Sequence, residues 1–192
     1  MKNLQFARSG YIGISCIFYA AAVIYLFFPG LPPMALSCFS GVILILYGII
    51  KFVGFFSEDL YCLAFRYDMA FGLLLMVAGV LLLVKNVSVA QYLTPGLGWM
   101  ALLDSLFHIQ MAKEARDFGI EEWKLVLGLS IATGVLSVLL IMHGFPGPQA
   151  TRILTCIVLL ACGVINHCIV MLMVHFPRRS TAKEPDTGKE SV

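Results

Sequence analysis

Apolar residues in this chain come in long unbroken runs, separated by short clusters of proline, glycine and charge. Six runs stand out: Gly10 to Phe28, Met34 to Phe56, Met69 to Val84, about Val87 to Met111, Trp123 to Met142, and about Ala150 to Phe176. About 20 apolar residues are needed for a helix to cross a hydrocarbon core of roughly 30 Å. Inside lipid the backbone must satisfy its own polar groups, in a helix or a closed barrel. The runs lack the period-2 alternation of barrel strands, so they predict helices. The third is short and is expected to extend backwards through Leu63 to Asp68, placing Arg66 and Asp68 at the membrane interface.

The polar intervals alternate in kind. Pro29, Gly30, Pro32 and Pro33 make a tight turn that cannot continue a helix, and His143 to Gln149, with Gly144, Pro146, Gly147 and Pro148, makes another. A third turn lies near Lys85 to Val89. Between these turns fall two longer charged connections, Ser57 to Asp68 and Lys113 to Glu122. The expected fold is therefore an all-α membrane protein, six transmembrane helices as three tandem hairpin repeats. Residues 1–9 form a cytoplasmic N-terminus, 10–176 the transmembrane domain, and 177–192 a polar, aromatic-poor disordered tail.

Charge sets the expected orientation. Lys2, Arg8, Lys51, Arg66, Lys113, Arg116, Lys124, Arg178, Arg179, Lys183 and Lys189 fall on one side, and only Lys85 and Arg152 on the other. By the positive-inside rule both termini are cytoplasmic. Arg178 and Arg179 are placed to meet anionic headgroups. Lys2 and Arg8 ahead of an apolar run imitate a signal peptide, with Ala20 to Ala22 as a cleavage site, but the run continues to Phe28 and its loss would break the hairpin count.

Composition sharpens this picture. Apolar residues are 60% of the chain and charged ones 12%, against roughly 45–50% and about 25% in a soluble domain. The mean hydropathy is +0.92. A formal net charge of +2 leaves no basic surface for nucleic acid. The partners expected are the lipid bilayer and a further copy of the chain in a homo-oligomer.

An internal repeat is visible in the small residues. Gly13, Gly72 and Gly128 open the odd-numbered helices at spacings of 59 and 56, and Gly48, Asp104 and Gly163 stand in the even-numbered ones at 56 and 59. Tandem copies in one orientation form a parallel repeat, unlike the inverted repeats common in secondary transporters. Turns such as Phe28-Pro29-Gly30 and Phe145-Pro146, and the motifs Leu46-Tyr47-Gly48-Ile49-Ile50-Lys51-Phe52 and Leu127-Gly128-Leu129, resemble the HdeD-like family of bacterial acid-resistance membrane proteins. The resemblance covers about residues 8 to 176. It implies six helices in a bacterial inner membrane and a role in acid or envelope stress, and supplies no catalytic residues. The second hairpin departs from the pattern, with Lys85-Asn86 in place of a turn proline and Asp104 in place of glycine.

Asp104 is the one acidic residue outside the charged connections and the tail. Counted from Lys113 it lies nine residues deep, about 13 Å at 1.5 Å per residue. An unpaired carboxylate there costs about 2.5–3.5 kcal/mol, so it must be protonated, paired or wet. His108 follows four residues on, along the same helix face. On the repeat spacing above, His108 and His167 occupy equivalent positions; Asn166 stands beside His167 and has Lys51 as its counterpart. Asp104, His108, Asn166 and His167 are thus candidates for proton or ion handling, in a small proton-linked transporter or channel. The alternative is that they hydrogen-bond within the bundle and fix helix packing.

Other chemistry is thinner. His143 and His175 fall at helix ends, where an imidazole needs no special role. Cys16, Cys38, Cys62, Cys156, Cys162 and Cys168 have no metal-ligand spacing. The last three, six residues apart, turn about 240° from one another on a helix and cannot share one metal. They read as small apolar packing groups. Gly13, Gly48, Gly72, Gly79, Gly128 and Gly163 read as helix-packing positions that let backbones approach; Gly41 and Gly54 belong to the same pattern. None is followed by the basic sequence of a phosphate loop. Trp99 and Trp123 read as interfacial anchors. No nucleophile–base set stands out, so no enzyme activity, metal or cofactor is expected.

Overall fold

In the computed structural model, residues 2–28, 30, 32–55, 68–85, 92–142 and 147–172 are described. They form six helices: α1 Lys2–Phe27, α2 Pro33–Phe55, α3 Asp68–Val84, α4 Leu93–Asp117, α5 Trp123–Ile141 and α6 Pro148–Leu172. The backward extension of α3 to Leu63, Arg66, Cys62, His143, His175, and the tail from 177 lie outside the described residues. So does the start of the fourth run, before Leu93.

The ends follow local chemistry. α2 opens on Pro33 and α6 on Pro148, where a missing N–H costs nothing because first-turn donors have no helical partner. α4 continues six residues past the expected Met111, because Lys113, Glu114, Arg116 and Asp117 form helix readily once no longer required to be apolar. It stops at Gly119, whose φ of 75° only glycine adopts freely. Gly119 N–H donates to Arg116 C=O and Ile120 N–H to Ala115 C=O, each at 3.0 Å, the paired bonds of a Schellman cap. Gly147, at φ 111°, takes a similar conformation before α6.

Four helices contain windows long and apolar enough to cross a membrane: Ser9–Phe27 in α1, Met34–Phe55 in α2, Trp123–Ile141 in α5 and Pro148–Leu172 in α6. In α3 the apolar stretch Met69–Val84 is shorter. α4 carries Asp104, Ser105, His108 and Gln110 along its length. The outward faces of these helices are rich in leucine, valine and isoleucine, including Leu73, Val77, Leu81, Ile131 and Val135.

Packing departs from the hairpins expected from the turns. The most intimate pairs are α2 with α3, α4 with α5, and α1 with α6. The first two are joined through the charged connections, and the third brings the two ends of the chain together. The cause is a seam of small residues. A Cβ added to Gly48 would stand 2.6 Å from the Gly72 carbonyl oxygen, and one on Gly72 2.8 Å from that of Gly48. Two turns away, a Cβ on Gly79 would come 2.7 Å from the Gly41 oxygen. With no hydrophobic effect between helices in lipid, such close backbone approach supplies the association.

The same seam recurs with a definite register. Gly48 meets Met76, Gly134 meets Ser105, and Gly163 meets Tyr19. Both partners advance by 57 and then 58 residues from copy to copy, once the α6–α1 pair is taken as closing the ring. This corrects the repeat expected from glycines alone. Gly13 and Gly128 are exposed, with nothing within 4 Å of an added Cβ, so they are not packing positions. The counterparts of Gly72 are Ser15 and Ser130, both fully buried. Serine fills that place because its hydroxyl bonds back to its own helix, Ser15 to Tyr11 C=O at 2.9 Å and Ser130 to Val126 C=O at 2.6 Å.

Gly48→Ala and Gly72→Ala should each lower the stability of the protein in detergent by about 1–3 kcal/mol, because the added methyl meets backbone that cannot yield. Gly13→Ala and Gly128→Ala should lower it by nothing measurable. Thermal unfolding of the four variants checks this; equal losses at all four positions would contradict the seam.

Candidate functional site

A polar cluster lies where α1, α2, α3, α4 and α6 converge. Its centre is Asp104 of α4, 3% exposed, facing Lys51 of α2, 2% exposed. Lys51 Nζ stands 3.2 Å from Asp104 Oδ1. Two opposite charges this deep are held together because either alone would bear an uncompensated desolvation cost.

The ammonium is enclosed by aromatic rings. Its Nζ lies 5.4 Å from the ring centre of Tyr11, 4.9 Å from that of Tyr47 and 5.4 Å from that of Phe71. Ring faces carry the negative lobe of the quadrupole, so they replace part of the lost hydration. Tyr47 is itself held edge-on by Phe18, with centroids 5.2 Å apart at 84°, and Phe71 packs on Phe107 at 5.5 Å.

Tyr47 joins a third helix to the pair. Its hydroxyl is 3.0 Å from Asp104 Oδ2 and 3.0 Å from Asn166 Oδ1. One hydroxyl proton faces two acceptors, so it is donated to one of them at a time. Asn166 is oriented by its Nδ2, which donates to Cys162 C=O at 3.0 Å. His108 Nε2 stands 3.7 Å from Asp104 Oδ1, an ion pair only when the imidazole is protonated, and its buried Nδ1 has no hydrogen-bond partner.

Of the four residues singled out by sequence, Asp104, His108 and Asn166 meet in this cluster. His167 does not: it is half-buried, one residue past Asn166 and so turned by about 100°. Its Nδ1 also has no hydrogen-bond partner. Lys51, expected among the cytoplasmic surface charges, is instead the buried partner of Asp104, which leaves ten basic residues against two in the orientation count. Tyr11, Tyr47 and Phe71 were not singled out; aromatic rings in an apolar run carry no signal of a site until a cation is placed among them.

The remaining candidates, apart from Cys162, sit elsewhere. Trp123 lies at the charged end of the bundle, with Arg116 and Lys124 at 5.2 and 5.8 Å from its ring. Trp99 is exposed on α4. Cys16, Cys156, Cys162 and Cys168 are free thiols. Among the described residues no group of three histidines, cysteines or acids is placed to hold a metal.

A family model, described as a short repeat of unknown function, matches the chain twice, over residues 13–84 and 70–142. The chain belongs to the DUF308 family. No curated protein and no solved structure matches it. The two DUF308 matches are offset by 57 residues at their starts and 58 at their ends, the register of the glycine and serine contacts. In that register Lys51, His108 and Asn166 are one repeat position, and Tyr47, Asp104 and Cys162 are another, four residues earlier. All six are buried. The cluster is thus one pair of repeat positions presented three times, with different side chains in each copy; the first two copies fall within the DUF308 matches, and Cys162 and Asn166 continue the register beyond them. This replaces the expected equivalence of His108 with His167.

Lys51→Met should destabilise the protein by about 3–5 kcal/mol by leaving a lone buried carboxylate, and Asp104→Leu should destabilise it too, by less because the freed Lys51 can move toward water. The double variant should recover most of that loss. Unfolding measured for all three in one detergent gives the coupling; additive losses would mean the two charges do not depend on each other.

Proposed function

We propose that this DUF308 protein is a non-enzymatic, multi-pass protein of the bacterial inner membrane, of the HdeD-like kind, that serves in acid or envelope stress. Its six helices cross the bilayer with both termini in the cytoplasm, and the Lys51–Asp104 pair is its acid-sensitive latch. The DUF308 repeat, which HdeD-like proteins carry, supports the family reading, and the excess of basic residues near one end of the bundle supports the orientation.

The observation that carries the latch is the proton count around Tyr47. With Asp104 ionised, one hydroxyl proton serves two acceptors, Asp104 Oδ2 and Asn166 Oδ1. A proton added to Asp104 completes the chain: the carboxyl donates to the Tyr47 oxygen, and Tyr47 donates to Asn166. The cluster therefore accepts one proton without losing a hydrogen bond. What it loses is the anion facing Lys51. Lys51 stands four residues before the end of α2, so its long side chain can swing toward that end and reach water. The α2–α4 contact then loosens. Tyr11, His108 and Cys162 are the other titratable groups around the pair, and a proton on His108 strengthens its attraction to an ionised Asp104, opposing release.

A proton-linked transporter or channel would need a wet path. The cavity reaching Asp104 holds only about 40 Å³ and is lined almost wholly by apolar side chains, room for about one water. That favours a dry latch over a conduit.

Two measurements test this reading. Single cysteines placed in a cysteine-free background should label from outside at 145–149 and be protected at 113–122; reversed labelling would overturn the orientation. Protection of the peptide spanning residues 45–55 against hydrogen exchange, corrected for the intrinsic slowing of amide exchange by acid, should fall, and its corrected exchange rise, as pH falls in the wild type. In Asp104→Asn the corrected exchange should be high at neutral pH and stay so. An unchanged acid response in Asp104→Asn would remove the latch.

A further inference from the structure

At the end of the bundle opposite the charged connections, α1, α2, α4 and α6 diverge around a cavity of about 300 Å³. This is the low end of the range for ligand pockets. Tyr25, near the end of α1, and Thr94, in the first turn of α4, line its outer part at those helix ends. Its floor is Phe18, Leu44, Leu97 and Leu159. Thr155 also lines it, but that hydroxyl is spent on Thr151 C=O at 2.8 Å. Tyr25, Thr94 and, about two turns into α2, Ser40 are the cavity's other polar side chains, and the rest of the lining is hydrocarbon. Those four floor residues also line the smaller cavity that ends on Tyr47 and Asp104.

Water is a poor occupant, since the floor offers it almost no partners. A protein segment is also a poor one, because its backbone polar groups would go unpaired. A hydrocarbon chain suits both the lining and the shape. In a protein surrounded by lipid such chains are the solvent, and the mouth lies at helix ends, where headgroups begin. We infer that this cavity holds one acyl chain of a phospholipid, its headgroup at Tyr25 and Thr94 and its terminal methyl toward Phe18 and Leu97.

Tethering to a headgroup favours a phospholipid over a free fatty acid. It presents the chain at the mouth at high effective concentration. A bound chain would fill the space between the interface and Asp104 and keep water from that side of the cluster. The inference stands whether or not the cluster responds to acid.

Photolabelling tests it. The full chain is reconstituted in phosphatidylcholine vesicles containing a trace of phosphatidylcholine with a diazirine near one chain terminus, illuminated, and digested for mass spectrometry. Adducts are expected at Phe18, Leu44 and Leu97 as well as on the outward residues Leu73 and Val77. Ala21→Phe, which fills the cavity, should cut the inward adducts at least ten-fold and leave the outward ones unchanged. Ser40→Phe fills it from α2 and serves the same purpose if Ala21→Phe does not fold. Three results would each overturn the assignment: adducts confined to outward residues in the wild type, inward adducts unaffected by a filling variant, or inward labelling by a diazirine fatty acid but not by the phospholipid. If neither variant folds, the wild-type adduct pattern decides.

Discussion

Two opposite charges placed in an apolar interior cannot be separated without leaving one of them bare, and the arrangement of this bundle depends on that constraint. Lys51 on α2 and Asp104 on α4 stand 3.2 Å apart. Tyr47 ties the pair to Asn166 on α6, while Tyr11 and Phe71 bring α1 and α3 around the ammonium. Five of the six helices therefore meet at one ion pair. α5 stays outside it: its buried hydroxyls, Ser130, Thr133 and Ser137, each bond to a carbonyl of their own helix.

The seams and the cluster divide the work between them. Small residues at Gly48, Gly72, Gly41 and Gly79, and their glycine, serine, alanine and cysteine counterparts, set how closely neighbouring helices approach. They act through shape and are nearly the same in each copy. The cluster positions differ from copy to copy: lysine, histidine and asparagine at one, tyrosine, aspartate and cysteine at the other. A repeat that kept one residue at each position would place three like groups together. Divergence at these two positions turns them into a donor–acceptor network, and it is the ring closure of α6 on α1 that brings all three copies to one centre.

The helices are legible in the sequence because length and unbroken apolarity are local properties. Their boundaries shift where the demand for apolarity ends, as in α4 beyond Met111. The pairing is not legible, since a turn shows which helices are consecutive but not which faces are small enough to approach. The register misleads for a related reason. Glycine marks a close approach at Gly72 but not at Gly13 or Gly128, whereas serine fills the same role at Ser15 and Ser130. Asp104 draws attention because a carboxylate in an apolar run is costly wherever it lies. Lys51 does not, because a lysine near a helix end ordinarily reaches water; only Asp104 opposite it gives a reason to stay buried. His167 attracts notice by residue type and by the shifted register, and the half-buried face it occupies is a different one.

In the proposed latch Asp104 is ionised against Lys51 at neutral pH and takes up the proton that opens it. Infrared difference spectroscopy of the protein in vesicles, neutral against acid, reads this directly. A carbonyl band of a buried protonated carboxylic acid, at higher frequency than that of the solvent-exposed carboxyls, is expected to appear on acidification and to be lost in Asp104→Asn, while Glu121→Gln and Glu122→Gln leave it in place. A band that survives in Asp104→Asn, or an Asp104 carboxylic acid already present at neutral pH, would contradict the latch.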